Sequence, residues 1–190
     1  MRTVSIIPGL RLIEESSYAP ASMDNERQYE NEYQTVPGHA HHTTAYGFER
    51  TVGNTKFYPL IVLGFGGASL LGKTSFVARG NKLHLAIDDF VLALDLETLR
   101  ILWATKVDFA TCFGIYWVES LSCLISWGEM EVSKLDLSGK ILLSVSGSDI
   151  FSGGFRIEND FAFATDFEGG EYKIDLRSGK AMKPESKEEE

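Results

Sequence analysis

From Thr43 onward the chain alternates. Apolar residues occupy every second position in short runs, and Gly, Asn, Asp and Ser separate the runs. In "LHLAI" the positions Leu83, Leu85 and Ile87 share one face of a pleated strand, and "VLALD" repeats the pattern. Similar runs include "TAYGFERTV", "TKFYPLIVL", "FGIYWV", "CLISW", "KILLSV", "FAFAT" and "EYKID". Pairs such as Gly53–Asn54, Gly80–Asn81 and Asn159–Asp160 stand between them, which predicts antiparallel hairpins and meanders. No window long enough for a helix keeps the periodicity of about 3.6 residues that a helix needs.

The strands repeat as groups. Lys82 to Trp103, Ser122 to Leu143 and Asp160 to Met182 each read strand, tight turn, strand, turn, strand. The second strand ends in Leu-Asp or Ile-Asp each time, and the anchoring acids Asp95, Asp136 and Asp175 are spaced 41 and 39 residues apart. An Asp in that place caps the following turn with its side chain, and Gly139 and Gly179 supply the positive φ such a turn favours. One such meander cannot bury both of its faces, so neighbouring units must stack. A period near 40 residues with several strands per unit predicts propeller blades.

Within this repeat, "VLALDLETLRILWATKVD" resembles the repeat of quinoprotein-type (PQQ-like) β-propellers, where a strand ends in Ala-Leu-Asp and the next leads into Leu-Trp. Three degenerate copies carry the resemblance, over roughly residues 75–182. Leu99 stands where that family usually has Gly, and the Trp103 position becomes Leu143 and Lys183 in the later copies. The resemblance implies a scaffold and brings no quinone or other cofactor with it. The expected fold is all-β, with antiparallel meanders stacked as a small or partial β-propeller. Residues 43–74 could add a further degenerate blade, and a β-sandwich of meanders is the alternative.

Texture divides the chain. Residues 1–42 are expected to form short strands around Pro8–Gly9 followed by a polar arm. Residues 43–182 form the β-repeat domain, with repeats near 75–107, 115–147 and 155–182. Residues 183–190 are expected to be an acidic, disordered tail. An apolar content of 44% marks a globular chain. Of the net charge of −9, −5 lies within residues 14–32 and −2 in the tail, so the body is near neutral. It offers no basic stripe for a phosphate backbone, and nucleic acid is not an expected partner. No apolar run approaches the roughly 20 residues of a membrane span. The N-terminal apolar stretch, broken by Pro8 and Gly9, does not match a secretory signal. A cytoplasmic protein without membrane association is expected. Cys112 and Cys123 lie in apolar surroundings and read as buried thiols.

Several motifs compete for a functional role. "GASLLGKT" fits the phosphate-loop pattern, with Gly67, Gly72, Lys73 and Thr74 as its nucleotide-binding positions. Such a loop needs a helix after it, and "SFVARGNKLHLAIDDF" reads as strand and turn. The cluster "GHAHHTT" offers His39, His41 and His42 as metal ligands but has no carboxylate or cysteine at recognised spacing. Asp88, Asp89, Glu129, Asp166 and Glu168 fall in equivalent hairpin turns, where two could converge for catalysis or simply meet solvent. Tyr116 and Trp117 must face opposite sides of a regular strand. With Trp127, they are either interface anchors or packing between blades.

Taken together, these patterns favour a non-catalytic protein-interaction domain, of the kind used by inhibitors, immunity proteins and assembly factors. Its protein partner is unidentified, and a homo-oligomer is a further possibility. The first alternative is a small β-scaffold hydrolase or carbohydrate-active protein, and the second is nucleotide binding by the phosphate loop.

Overall fold

The structure, a computed structural model, describes residues 2–39 and 41–182. The acidic tail at 183–190, including Lys183, lies outside the described residues. The described chain is all-β, and a single 3-10 turn at Glu119–Leu121 is its only helix.

Four sheets follow one another along the chain. The first contains β1 (Thr3–Ile7), β2 (Leu10–Glu14), β3 (Glu32–Gln34), β4 (Thr44–Val52) and β5 (Thr55–Gly64), in the order β1-β2-β4-β5-β3. The second is β6 (Phe76–Arg79), β7 (Lys82–Ile87), β8 (Phe90–Asp95) and β9 (Ile101–Lys106). The third is β10 (Cys112–Val118), β11 (Cys123–Gly128), β12 (Glu131–Leu135) and β13 (Ile141–Ser146). The fourth is β14 (Phe155–Glu158), β15 (Phe161–Thr165), β16 (Glu171–Asp175) and β17 (Ala181–Met182). The last three sheets are antiparallel meanders, and they coincide with the three repeats.

The first sheet draws on both sides of the division at residue 42. The hairpin around Gly53–Asn54 is present, but β2 from the N-terminal segment pairs antiparallel with β4. Short β3, from within the polar arm, pairs parallel with β5.

Alternation explains the cores. Leu83, Leu85 and Ile87 join Leu92 and Leu94 in packing against Leu12, Tyr46, Phe48 and Val62 of the first sheet. The opposite face of the second sheet, with Ala86 and Val91, packs against Ile115, Leu124 and Leu135 of the third. Ile125 and Val132 then meet Ala162, Ala164, Tyr172 and Ile174 of the fourth. Inner strands are therefore buried on both faces, which is why "FVLALD" is nearly continuous in apolar character.

The repeat anchors behave as capping residues. Asp95 Oδ1 accepts the backbone N–H groups of Glu97 and Thr98, Asp136 Oδ1 those of Ser138 and Lys140, and Asp175 Oδ1 those of Arg177 and Ser178. Gly139 (φ +86°) and Gly179 (φ +76°) close two of the turns in the left-handed region. Leu99 closes the third at φ +56°. Left-handed backbone costs a non-glycine residue about 1–2 kcal/mol. The Leu99 side chain is only 4% exposed, in the core with Leu10 and Leu60. Burying a leucine contributes about 1.5–3 kcal/mol, enough to offset that strain.

A second device links each sheet to the next. Arg50 donates to the carbonyls of Leu96 and Glu97, the Trp103 indole N–H to Leu137 O (3.1 Å), and Lys134 Nζ to Leu176 O (2.8 Å). Leu96, Leu137 and Leu176 each directly follow an anchoring Asp. The same turn carbonyl thus receives a donor from the preceding sheet at all three seams.

Candidate functional site: the loop rim

The loops and turns at one end of the sheets are stitched into a continuous rim. Gly67 N–H donates to Ala110 O (2.9 Å), Glu129 N–H to Thr111 O (2.7 Å), Phe151 N–H to Glu129 O (2.7 Å) and Phe167 N–H to Ile150 O (2.9 Å). Buried carboxylates hold the loops from inside. Asp108, 3% exposed, accepts Ala110 and Thr111 N–H on one oxygen and Met130 and Glu131 N–H on the other. One side chain therefore fixes both the linker between the second and third sheets and the β11–β12 turn. Gly128 lets the carboxylate in, since a Cβ there would fall 2.2 Å from Asp108 Oδ2.

The phosphate-loop letters have a related role. Asp88 is fully buried, and its carboxylate accepts Thr43 Oγ1 (2.7 Å), Gly66 N–H (3.2 Å) and Ser69 N–H (3.3 Å). Burial pushes this carboxyl up, although these donors counteract the effect. Gly67 N–H is engaged with Ala110, Gly72 N–H donates to Ser75 Oγ, and Lys73 and Thr74 are exposed. The segment runs into strand β6, so no helix N-terminus follows Thr74. Within the glycine-rich loop it is Ser69 N–H that meets a carboxyl group, and that group is the protein's own Asp88.

Two of the other turn acids have partners, although Asp89 Oδ1 is buried without one among the described residues. Asp89 pairs with Lys106 (2.8 Å), and Asp166 accepts Gly170 N–H (2.7 Å). Glu129 is half-buried and Glu168 is exposed. His39 packs on Phe65 at 5.4 Å between ring centroids, and His42 lies beside Tyr18 at 6.4 Å. Burial pushes the His42 imidazole down. His41 is exposed. Among the described residues no three His, Cys, Asp or Glu side chains are grouped to hold a metal ion.

The aromatic candidates sit in seams. Tyr116 packs on Phe155 (4.9 Å), and Trp127 stacks on the same ring (5.3 Å, 8° between planes), both facing the fourth sheet. Trp117 turns the other way, beneath the Arg79 guanidinium at 4.2 Å, toward the second sheet. Tyr116 and Trp117 thus point to opposite sides, as strand alternation requires. Cys112 and Cys123 are buried free thiols, and burial pushes Cys112 up to about 12.

What stands out on the rim was not singled out by the sequence. Phe109 is 77% exposed, Phe167 72%, Leu70 66% and Met130 38%. All four lie in the stitched loops, where Asp149, beside Ile150, and Glu168, beside Phe167, are also exposed. The available signal was an aromatic directly after a turn Asp, as in Asp108–Phe109 and Asp166–Phe167. Apart from the rim, two open grooves of about 290 Å³ lie where the first and second sheets meet. One is lined by Tyr33, Leu60 and Leu99, the other by Pro8, Arg50 and Leu96.

No protein-family profile matches the chain. No curated protein matches it either. Among solved structures it is similar to BamB from Moraxella catarrhalis, a PQQ-like β-propeller protein, with a TM-score of 0.52 and 14% identity. That match covers 73% of this chain and 44% of BamB. It is also similar to two computationally designed proteins. Ika8 has a TM-score of 0.53 and 12% identity, covering 73% of this chain and 44% of that one. Ika4 has a TM-score of 0.51 and 14% identity, covering 65% and 81%. The chain spans less than half the length of BamB. What it shares with these structures is an all-β, propeller-like scaffold.

Proposed function

We propose that this chain is a non-catalytic protein-interaction domain that binds through the loop rim. The observation that carries the reading is the exposure of Phe109 and Phe167 on loops fixed by buried carboxylates. Large aromatics held rigidly at the surface lose little freedom on binding and serve as anchors. Leu70 and Met130 extend the apolar character, and Asp149 and Glu168 add negative charge. The partner segment therefore carries apolar side chains flanked by lysine or arginine. The propeller-like scaffold supports this reading by displaying loops from successive sheets along one end.

Quantitative capture from native extract tests it, with wild type compared to a Phe109→Ser/Phe167→Ser double variant. One or a few proteins should be retained by wild type and bind the variant at least about tenfold more weakly. Both positions are exposed, so the fold should be unaffected. Equal retention by both forms, or turnover of a small substrate without any protein partner, overturns the reading.

A further inference from the structure

The chain departs twice from its own repeat pattern, and both departures meet at one groove. Leu99 takes a positive φ in the turn where the later copies have Gly139 and Gly179. β3 is the one strand among those described that pairs parallel, and it reaches β5 from within the polar arm. Between them lies the groove of about 290 Å³ lined by Tyr33, Leu60 and Leu99. One wall is formed by β3 and β5, with Glu32 and Tyr33 supplied by the arm. The other is formed by the β8–β9 turn and the start of β9, with Leu99, Arg100 and Ile101. Tyr33, Leu60, Leu99 and Ile101 belong to one apolar cluster, so the groove has an apolar floor. Residues held in rare backbone conformations, as Leu99 is, gather at ligand sites.

Two charged side chains line the groove, Glu32 and Arg100. Glu32 is engaged by its own arm, since its oxygens accept the Tyr18 hydroxyl (3.2 Å) and the Gln34 side-chain N–H (3.0 Å). Arg100 is exposed and makes no ion pair among the described residues. The Asp95 carboxyl is held down by Thr98 first and by Arg100 last, and its oxygens are taken by Glu97, Thr98 and Asn81. The Arg100 guanidinium therefore keeps its planar fork of N–H donors for a carboxylate. We propose that this groove binds a small monocarboxylate with an apolar body, the carboxylate on Arg100 and the body on Tyr33, Leu60 and Leu99. One unengaged cation answers one negative charge. Glu32 on the other wall repels a second, which sets dicarboxylates and phosphates aside. The volume lies at the small end for a ligand site and suits a body of up to about ten carbons. None of the lining residues belongs to the rim, so the site is independent of the binding function proposed there.

An NMR titration of the isotope-labelled full chain with phenylpropionate tests the proposal. Saturable amide shifts should centre on Tyr33, Leu99, Arg100 and Ile101, with a Kd of roughly 1 mM. Phenylpropanol and phenylpropylamine share the body but lack the carboxylate, and should bind at least about fivefold more weakly. Arg100→Gln, at an exposed position, should abolish the preference for the acid and leave the rest of the spectrum unchanged. Phe109→Ser, on the rim, should leave every titration unchanged, so the two sites stand or fall separately. The proposal is overturned by any of four results: no saturable shift with phenylpropionate, shifts centred elsewhere, an alcohol or amine that binds as tightly as the acid, or acid binding indifferent to Arg100→Gln.

Discussion

The two ends of the row of sheets solve the same problem differently. Among the described residues, each end sheet has an outer face with no neighbouring sheet. At the first, the chain folds back on itself. Tyr29 lies flat on the sheet with its hydroxyl on Glu15 (2.6 Å), Arg27 pairs with Glu15 (3.2 Å), and β3 adds an edge strand. At the fourth, no described segment crosses the outer face, and the stems of Lys173 and Arg156 shade two phenylalanines. A covered end needs a built seam with buried polar groups satisfied. A shaded end needs only long cationic side chains. The difference teaches that the polar arm acts as packing.

The contrast can be broken most severely at Gly47. A Cβ there would fall 1.9 Å from Tyr29 Oη, so Gly47→Val should lift the ring off the sheet. We expect a loss of about 3 kcal/mol in urea unfolding, with new protease sensitivity in the arm. A change below about 1 kcal/mol would mean that the cover contributes little.

An interior seam supplies the reference. His84 is 1% exposed, its ring 5.8 Å from that of Trp103, and burial, helped slightly by Lys82, pushes its imidazole down from 6.5 to about 4. The unfolded chain therefore takes up this proton first. Stability from this site is complete above about pH 6.5 and is lost as pH falls toward 4. Between neutral pH and pH 5 the loss should be about 2 kcal/mol. Urea titrations of wild type and His84→Leu check this, since the variant should lack that part of the slope.

The smallest effect belongs to the open end. Lys173→Ala removes one cation from two rings and should cost less than about 1 kcal/mol. A larger loss would show that the fourth sheet is closed by its own side chains and would blur the distinction between the ends.

Much of the repeat architecture was legible because it is local. Asp95, Asp136 and Asp175 cap turns within a few residues of themselves, and alternation placed Tyr116 and Trp117 on opposite sides. Leu99 was visible as a departure from glycine, but its burial was not, because that depends on the first sheet. The donors that join sheets were not legible either. Arg50, Trp103 and Lys134 differ in chemistry and share only a destination. The arm read as polar, yet a tyrosine covers apolar surface with its ring while its hydroxyl stays satisfied, and composition cannot distinguish that from solvation. The exposed rim aromatics leave no periodic trace because nothing in the fold demands them.

Asp88 gives the glycine-rich loop a chemical identity of its own. Because the carboxylate is part of the same chain, the N–H groups of Gly66 and Ser69 meet it at an effective concentration on the order of millimolar or more, whatever the surroundings contain. A dissolved anion would have to displace, at those two donors, a ligand that cannot diffuse away. Those two donors are in this sense liganded from within the chain.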